Sequence, residues 1–194
     1  FEFVMDEVPD MLDGMRIGVS RIHSIVKGLS EYSREDRGDM AQIDLPKCID
    51  DALVICSNKT KRIKEIKVIP NQVNGRIEGI GSQIEQVLVN LVGNAADALE
   101  NVADGQIEIE IKQQNNCAQI TVTDNGPGVS QEVADRIFDP FFTTKGVGKG
   151  TGLGLAICSK IMTNHNGRLY VDHSYTDGAR FVLELPVEEW KAAA

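Results

Sequence analysis

Gly146, Gly148, Gly150, Gly152 and Gly154 stand at alternating positions, five glycines in nine residues. Each glycine inside a helix or strand costs about 0.5–1 kcal/mol relative to alanine. No regular element can run through them, so the sequence predicts a mobile loop between two elements. Before it lies Phe138-Asp139-Pro140-Phe141-Phe142-Thr143-Thr144-Lys145, whose aromatic rings suit the base of a loop that folds over a ligand. After it, Leu153 to His165 reads as a helix. Its first-turn N–H groups follow directly on the glycines, and such an amino terminus favours an anion. Lys145 and Lys149 supply the nearby positive charge.

A second constraint is Asp124-Asn125-Gly126-Pro127-Gly128, which closes the β-branched run Ile120 to Thr123. A carboxylate held at a strand end can accept hydrogen bonds from an exocyclic amine such as that of adenine. The glycines let bare backbone approach a ligand face. Read alone, the same residues are also ordinary turn punctuation.

A third is the predicted helix from about Ser82 to Glu100. Ile84, Val87, Leu88, Leu91, Val92, Ala95 and Leu99 form one apolar face at 3.6-residue spacing, while Gln83, Gln86, Asn90, Asn94, Asp97 and Asn101 line the far side. A solvated face would favour lysine and glutamate, the better helix formers. A row of amides suggests a face that looks at something, and carbonyl oxygens at i and i+4 can hold a hard cation.

The remaining elements follow by pattern. Ala41 to Asp44 is a short strand, and Pro46 opens a helix to about Lys59 with Leu45, Cys48, Ile49, Ala52, Leu53 and Cys56 inward. Glu65 to Ile69 and Gly75 to Glu78 alternate as strands, with Asn74-Gly75 as a hairpin signal between them. Gln106 to Gln113 pairs with Cys117 to Thr123, Glu132 to Phe138 is a short helix, and Gly167 to Ser174 with Gly178 to Leu185 makes a closing hairpin. From about Met5 to Ser33, Val8, Met11, Met15, Gly18, Ile22, Ile25, Leu29 and Tyr32 step by three and four, with Leu12, Val19 and Val26 widening the stripe. That width suits a four-helix bundle, completed by another copy or by a helix lying upstream. His23 falls beside the seam and reads as a surface residue, and residues 35–39 read as a polar linker.

The net charge of −9 argues against a nucleic-acid surface, so any phosphate site must be local. Cys48, Cys56, Cys117 and Cys158 show no metal-ligand spacing and read as buried thiols in a reducing compartment. No apolar run approaches a membrane span, and no signal peptide is visible. The ends, Phe1 and Lys191 followed by three alanines, read as those of an excised fragment, with an upstream sensory or membrane part expected to be compatible. Neither the dinucleotide fingerprint nor the P-loop spacing fits the glycines.

Taken together, the motifs resemble those of the sensor histidine kinases. Asn90 to Ala98 is similar to their N box, Asp124 to Gly128 to the G1 box, Phe138 to Lys145 to the F box, and Gly150-Thr151-Gly152-Leu153-Gly154-Leu155 to the G2 box. The likeness covers about residues 41–186, and Ser20 to Arg34 resembles the second helix of the family's dimerisation and phosphotransfer domain. It implies an α+β fold of GHKL type, a two-layer α/β sandwich with a mixed sheet and helices on one face, preceded by a long bundle-forming helix. The implied division is 1–38 for that helix and linker, 39–188 for the catalytic and ATP-binding domain, and 189–194 for a tail. The implied activity is transfer of the ATP γ-phosphoryl to a histidine, for relay to an aspartate of a response-regulator receiver domain.

Carried over by position, Asn94 coordinates Mg²⁺, while Asn90 polarises the attacking group or holds a metal-bound water. Asp124 receives the adenine amine, with Gly126 and Gly128 shaping the pocket floor. Lys145 and the amides of Gly152 to Leu155 meet the phosphates. Asp97, Phe138, Phe142, Thr144, Gly150 and Thr151 complete the expected cofactor-binding set with Leu153 and Gly154. Homodimerisation through the amino-terminal helix is expected, as is a cytoplasmic location, alone or as the cytoplasmic part of a membrane-bound sensor. Two departures stand out. Asp97 occupies a position where many relatives carry lysine, and no histidine is followed by the His-Glu-x-x-x-Pro acceptor pattern, so this chain should not phosphorylate itself on the usual histidine. The rival readings are a nucleotide-binding switch or anti-sigma-type kinase of the same fold, and an ATPase of the Hsp90 or MutL type, which would want a carboxylate where Asn90 stands.

Overall fold

The structure is a computed structural model that describes residues 39–146 and 150–188, with scattered positions between 8 and 30. His23, Ile25, Leu29, Tyr32, most of the expected linker, Gly148, Lys149 and the tail lie outside the described residues.

Helix α1 (Leu45–Thr60) starts where Asp44 accepts a hydrogen bond from the Lys47 N–H at 3.1 Å and Pro46 occupies the first turn. Strands β1 (Ala41–Gln42) and β3 (Glu78–Gly79) pair antiparallel beside it. The main sheet has the order β2-β4-β5-β7-β6, formed by β2 (Glu65–Ile69), β4 (Gln106–Gln114), β5 (Cys117–Asp124), β6 (Arg168–Val171) and β7 (Ala179–Pro186). Only β2 and β4 run parallel; the other neighbours are antiparallel, so the sheet is mixed.

Register decides which face is dry. Ile109 lies opposite Val122 and Val122 opposite Phe181; Ile111 lies opposite Ile120 and Ile120 opposite Leu183. All of these are buried, whereas the alternating Glu108, Glu110 and Glu184 keep partial access to water. The dry face receives α2 (Gly81–Ala98) and α4 (Gly154–Asn164), and α1 packs against α2. Ile84, Val87, Leu88, Leu91, Val92, Ala95 and Leu99 are all buried, as their period predicts.

Three expectations need correction. Asn74-Gly75 does not join a hairpin, because β2 enters the main sheet and β3 the small one. The intervening chain is instead tied to β4. Gln113 accepts from the Asn74 N–H and donates to its carbonyl, Asn71 donates to the Ile111 carbonyl, and Arg76 forms a bridge with Glu188. The helix expected over residues 132–138 is one turn only, α3 (Gln131–Ala134), capped by Ser130, and the chain to Phe138 continues as turns. Finally, the amide row is not one open face: Gln83 is buried and Gln86 is absent from the cleft that Asn90, Asn94 and Asp97 line. A 3.6-residue period keeps positions 83, 86, 90, 94 and 97 on one side of the helix, so the difference is axial: the cleft begins at Val89, beyond Gln83 and Gln86.

In the amino-terminal stretch the described positions are helical, and Met11, Leu12, Met15, Val19, Ile22 and Val26 are all exposed. No helix among the described residues is long and apolar enough to cross a membrane.

Candidate nucleotide-binding cleft

A cleft of about 900 Å³ opens between α2, the β5–α3 turn and the segment from Phe142 to Leu155. Its floor is fixed by backbone. Asp124, the last residue of β5, is 4% exposed, so its carboxylate needs partners. The Gly126 N–H donates to its Oδ1 at 2.9 Å, and the Ala179 N–H also donates to it. Burial pushes the Asp124 carboxyl above its ordinary range, and these two backbone bonds oppose the rise. Gly178, at φ +151°, carries no Cβ that would collide with the Asp124 carbonyl, which lets the β6–β7 turn close against the end of β5.

The opposite end is built from side chains. Asn90 and Asn94 stand one turn apart on α2. Asn90 donates to the Gln86 carbonyl at 3.0 Å, leaving its Oδ1 toward the start of α4, where a Cβ on Gly154 would come within 2.8 Å of it. Asn94 Oδ1 accepts a hydrogen bond from Lys145 Nζ at 3.0 Å. Lys145 also pairs with Asp97 Oδ2 at 2.6 Å, and Lys59 of α1 pairs with Asp97 Oδ1 at 2.9 Å. Burial pushes the Asp97 carboxyl up, but the hydrogen bonds and charges of Lys145 and Lys59 outweigh it and hold the group below its ordinary range.

The loop is anchored at its base. The Phe141 N–H donates to the Gly152 carbonyl at 2.9 Å, with Phe141 itself at φ +68°. Gly152, at φ +67°, lies so close to the Phe141 backbone that any Cβ would collide with it. Helix α4 then begins with Leu153 as its cap residue; the Leu153 N–H donates to Thr151 Oγ1 at 3.4 Å, and the Leu153 side chain caps none of the N–H groups that follow. Those amides are available to an anion, as the glycines before them predict.

Of the expected site residues, Asn90, Asn94, Asp97, Asp124, Gly128, Phe142, Thr144, Lys145, Gly150, Thr151, Gly152, Gly154 and Leu155 line the cleft. Gly126 stands behind it, holding the Asp124 carboxylate. Phe138 and Leu153 do not line it; both pack against the hydrophobic core. Sequence reasoning missed Lys59, Cys56, Val89, Val129, Ala179 and Phe181. Ala179 follows a Thr-Asp-Gly turn that hinted at a close approach, but nothing local links Lys59 to Asp97, 38 residues away.

Among the described residues no three histidine, cysteine or acidic side chains converge to cage a metal. A hard cation there would rest on an amide oxygen and on its ligand's phosphates. Asn94 Oδ1 has the chemistry for that, since an ammonium already occupies it.

Residues 79–189 match the family of histidine kinase-, DNA gyrase B-, and HSP90-like ATPases. The signal transduction histidine-protein kinase AtoS of Escherichia coli (strain K12) is 33% identical over 172 residues, covering 87% of this chain and 28% of that protein. The C4-dicarboxylate transport sensor protein DctB of Pseudomonas aeruginosa is 31% identical over 169 residues, covering 86% and 28% respectively. The nucleotide-free catalytic domain of histidine kinase ThkA superposes on 77% of this chain and 98% of its own, with 32% identity and a TM-score of 0.65. ThkA in complex with the response regulator protein TrrA covers 88% of this chain and 48% of its own, at 30% identity and a TM-score of 0.70. The chain thus spans 28% of the length of AtoS and of DctB. It belongs to the histidine kinase-, DNA gyrase B-, and HSP90-like ATPases, with the fold of a histidine-kinase catalytic domain.

Proposed function

We propose that this chain is the ATP-binding catalytic part of a two-component sensor histidine kinase, with residues 39–188 as the nucleotide-binding unit and the preceding helix as part of its dimerisation domain. The observation that carries the reading is one cleft with a backbone-held carboxylate at one end and an amide–lysine cluster beside an uncapped helix amino terminus at the other. Asp124 accepts the exocyclic amine of adenine with the carboxylate capacity that Gly126 and Ala179 leave over. Asn94 offers its side-chain oxygen to Mg²⁺, and Asn90 holds a water or orients the attacking group. Lys145 and the amides from Gly152 to Leu155 receive the phosphates. When bound, Mg²⁺ neutralises charge on the phosphoryl group being transferred.

The γ-phosphoryl passes from ATP to the Nε2 of a histidine, with ADP as the leaving group, and then to an aspartate of a response-regulator receiver domain. The likeness to ThkA, solved in complex with TrrA, supports that partner. Positioning and charge neutralisation suffice for such a loose transition state, and closure of the glycine segment excludes water. Dimerisation through the amino-terminal helix fits its exposed apolar stripe, and a cytoplasmic location fits ATP as the donor.

Calorimetric titration with Mg-ATP, followed by incubation with a separately supplied acceptor-helix protein, tests the reading. Saturable binding and acid-labile phosphate on the acceptor are expected. Binding without transfer would reduce the chain to a nucleotide switch, and no heat at millimolar ATP would remove the nucleotide assignment altogether.

A further inference from the structure

The reading above leaves a charge problem at the phosphate end. Asp97 points a carboxylate into a wall meant for phosphates, and it holds Lys145, the lysine those phosphates need. Resting on that reading, we propose that Lys59 is a positioning residue: it keeps Asp97 neutralised so that Lys145 can leave the carboxylate for the nucleotide.

The geometry assigns one ammonium to each carboxylate oxygen, Lys59 to Oδ1 at 2.9 Å and Lys145 to Oδ2 at 2.6 Å. The two lysines differ in what carries them. Lys59 sits in the last turn of α1, next to buried Cys56 and Thr60, whose hydroxyl donates to the Cys56 carbonyl at 3.2 Å. Packing of α1 against α2 therefore fixes the backbone from which the half-exposed Lys59 side chain reaches Asp97, and a Cβ on Gly93 would stand 3.8 Å from its Nζ. Lys145 ends the aromatic segment and enters the glycine run, where its backbone N–H donates to Thr143 Oγ1 at 3.2 Å. One ammonium is anchored through a packed helix pair, and the other belongs to the loop. When Lys145 moves, Asp97 keeps its second partner. Without Lys59, the carboxylate would retain Lys145 and repel the arriving phosphates, since opposite and like charges a few ångströms apart dominate a partly dry cleft.

Calorimetric titration of the 194-residue chain with ATP, ADP and adenosine, each with Mg²⁺, tests this on Lys59→Met, Lys59→Glu, Asp97→Asn and the Lys59→Met/Asp97→Asn pair. Lys59→Met is expected to weaken ATP and ADP by about tenfold while leaving adenosine unchanged, and Lys59→Glu to weaken the phosphates further. Adding Asp97→Asn to Lys59→Met should restore most of the loss, because the competing carboxylate is gone. A merely structural lysine would move adenosine and ATP together and would show no rescue. Equal losses for adenosine and ATP, an absent effect in Lys59→Glu, or failure of rescue overturns the proposal while the nucleotide cleft stands. Wild-type protein that binds none of the three ligands overturns both. Should Lys59→Met not fold, Lys59→Glu with its Asp97→Asn partner, checked by thermal melting, carries the same comparison.

Discussion

The two ends of the cleft are held by different kinds of bond. At the Asp124 end, a carboxylate that is almost wholly buried is fixed by backbone N–H groups from the turn after β5 and from the first residue of β7, and both are set by strand register. At the Asn94 end, the contacts run between side chains of three separate segments, and both lysine heads keep access to water. Backbone donors anchored in a sheet cannot rotate away, so the first end presents one arrangement to a ligand. Side-chain ion pairs that are half solvated are individually weak and exchange partners easily. The first end suits selection of a ring, whereas the second suits a group whose charge changes during a reaction.

Disabling the rigid end should give the largest effect. Asp124→Ala leaves the Gly126 and Ala179 donors without their buried acceptor and removes the ligand's own partner. Binding of both adenosine and ATP is expected to fall by about a hundredfold in calorimetric titration, in line with loss of a charged hydrogen bond. A variant that kept adenosine affinity would erase the distinction between the ends. Asn94→Ala comes next. It should cost about tenfold in ATP affinity, only when Mg²⁺ is present, with the thermal midpoint close to wild type because Asn94 is only half-buried. An equal loss in the presence of a chelator would point to a packing role instead.

Salt and acid sharpen the contrast further. Raising ionic strength from about 0.05 to 0.5 M should weaken ATP several-fold and leave adenosine unaffected, since the Debye length falls from about 14 to about 4 Å and screens the attraction of a polyphosphate to the exposed lysines. The pH profiles should also separate. Asp124 has its folded pKa raised, so its carboxylate protonates at a higher pH than an ordinary aspartate as the solution is acidified. Asp97 has its folded pKa lowered, so its ion pairs persist through the ordinary carboxylate range and are lost only below it. The stability that Asp97 contributes is therefore present above the unfolded value and disappears as pH falls through the folded one. Adenosine titrations at stepwise lower pH should lose affinity before the melting temperature registers the loss of Asp97's pairs. The reverse order would contradict the two directions of shift.

Much of this molecule could be read from local pattern. The apolar period of α2, the alternation of β4 and β5, and the glycine break before α4 each specify their element through nearby residues. Asn74-Gly75 shows the limit: the dipeptide marks a turn, but where the chain goes afterwards depends on Gln113 and Glu188, which lie far away in sequence. The short α3 is similar, because a helical pattern over residues 132–138 yields when Phe138 is drawn into the core.

The candidate site divides along the same line. Asp124, Asn90, Asn94, Lys145 and the glycines were legible by themselves, since strand ends, one helix face and a glycine run are all local features. The donation from Ala179 to Asp124 and the pairing of Lys59 with Asp97 arise only when β7 lies beside β5 and α1 lies on α2. A side chain's chemistry is carried by the residue itself, and its period and turn preferences by its neighbours. Which charge faces it across a cleft is decided by packing between segments dozens of residues apart, and no local preference encodes that distance.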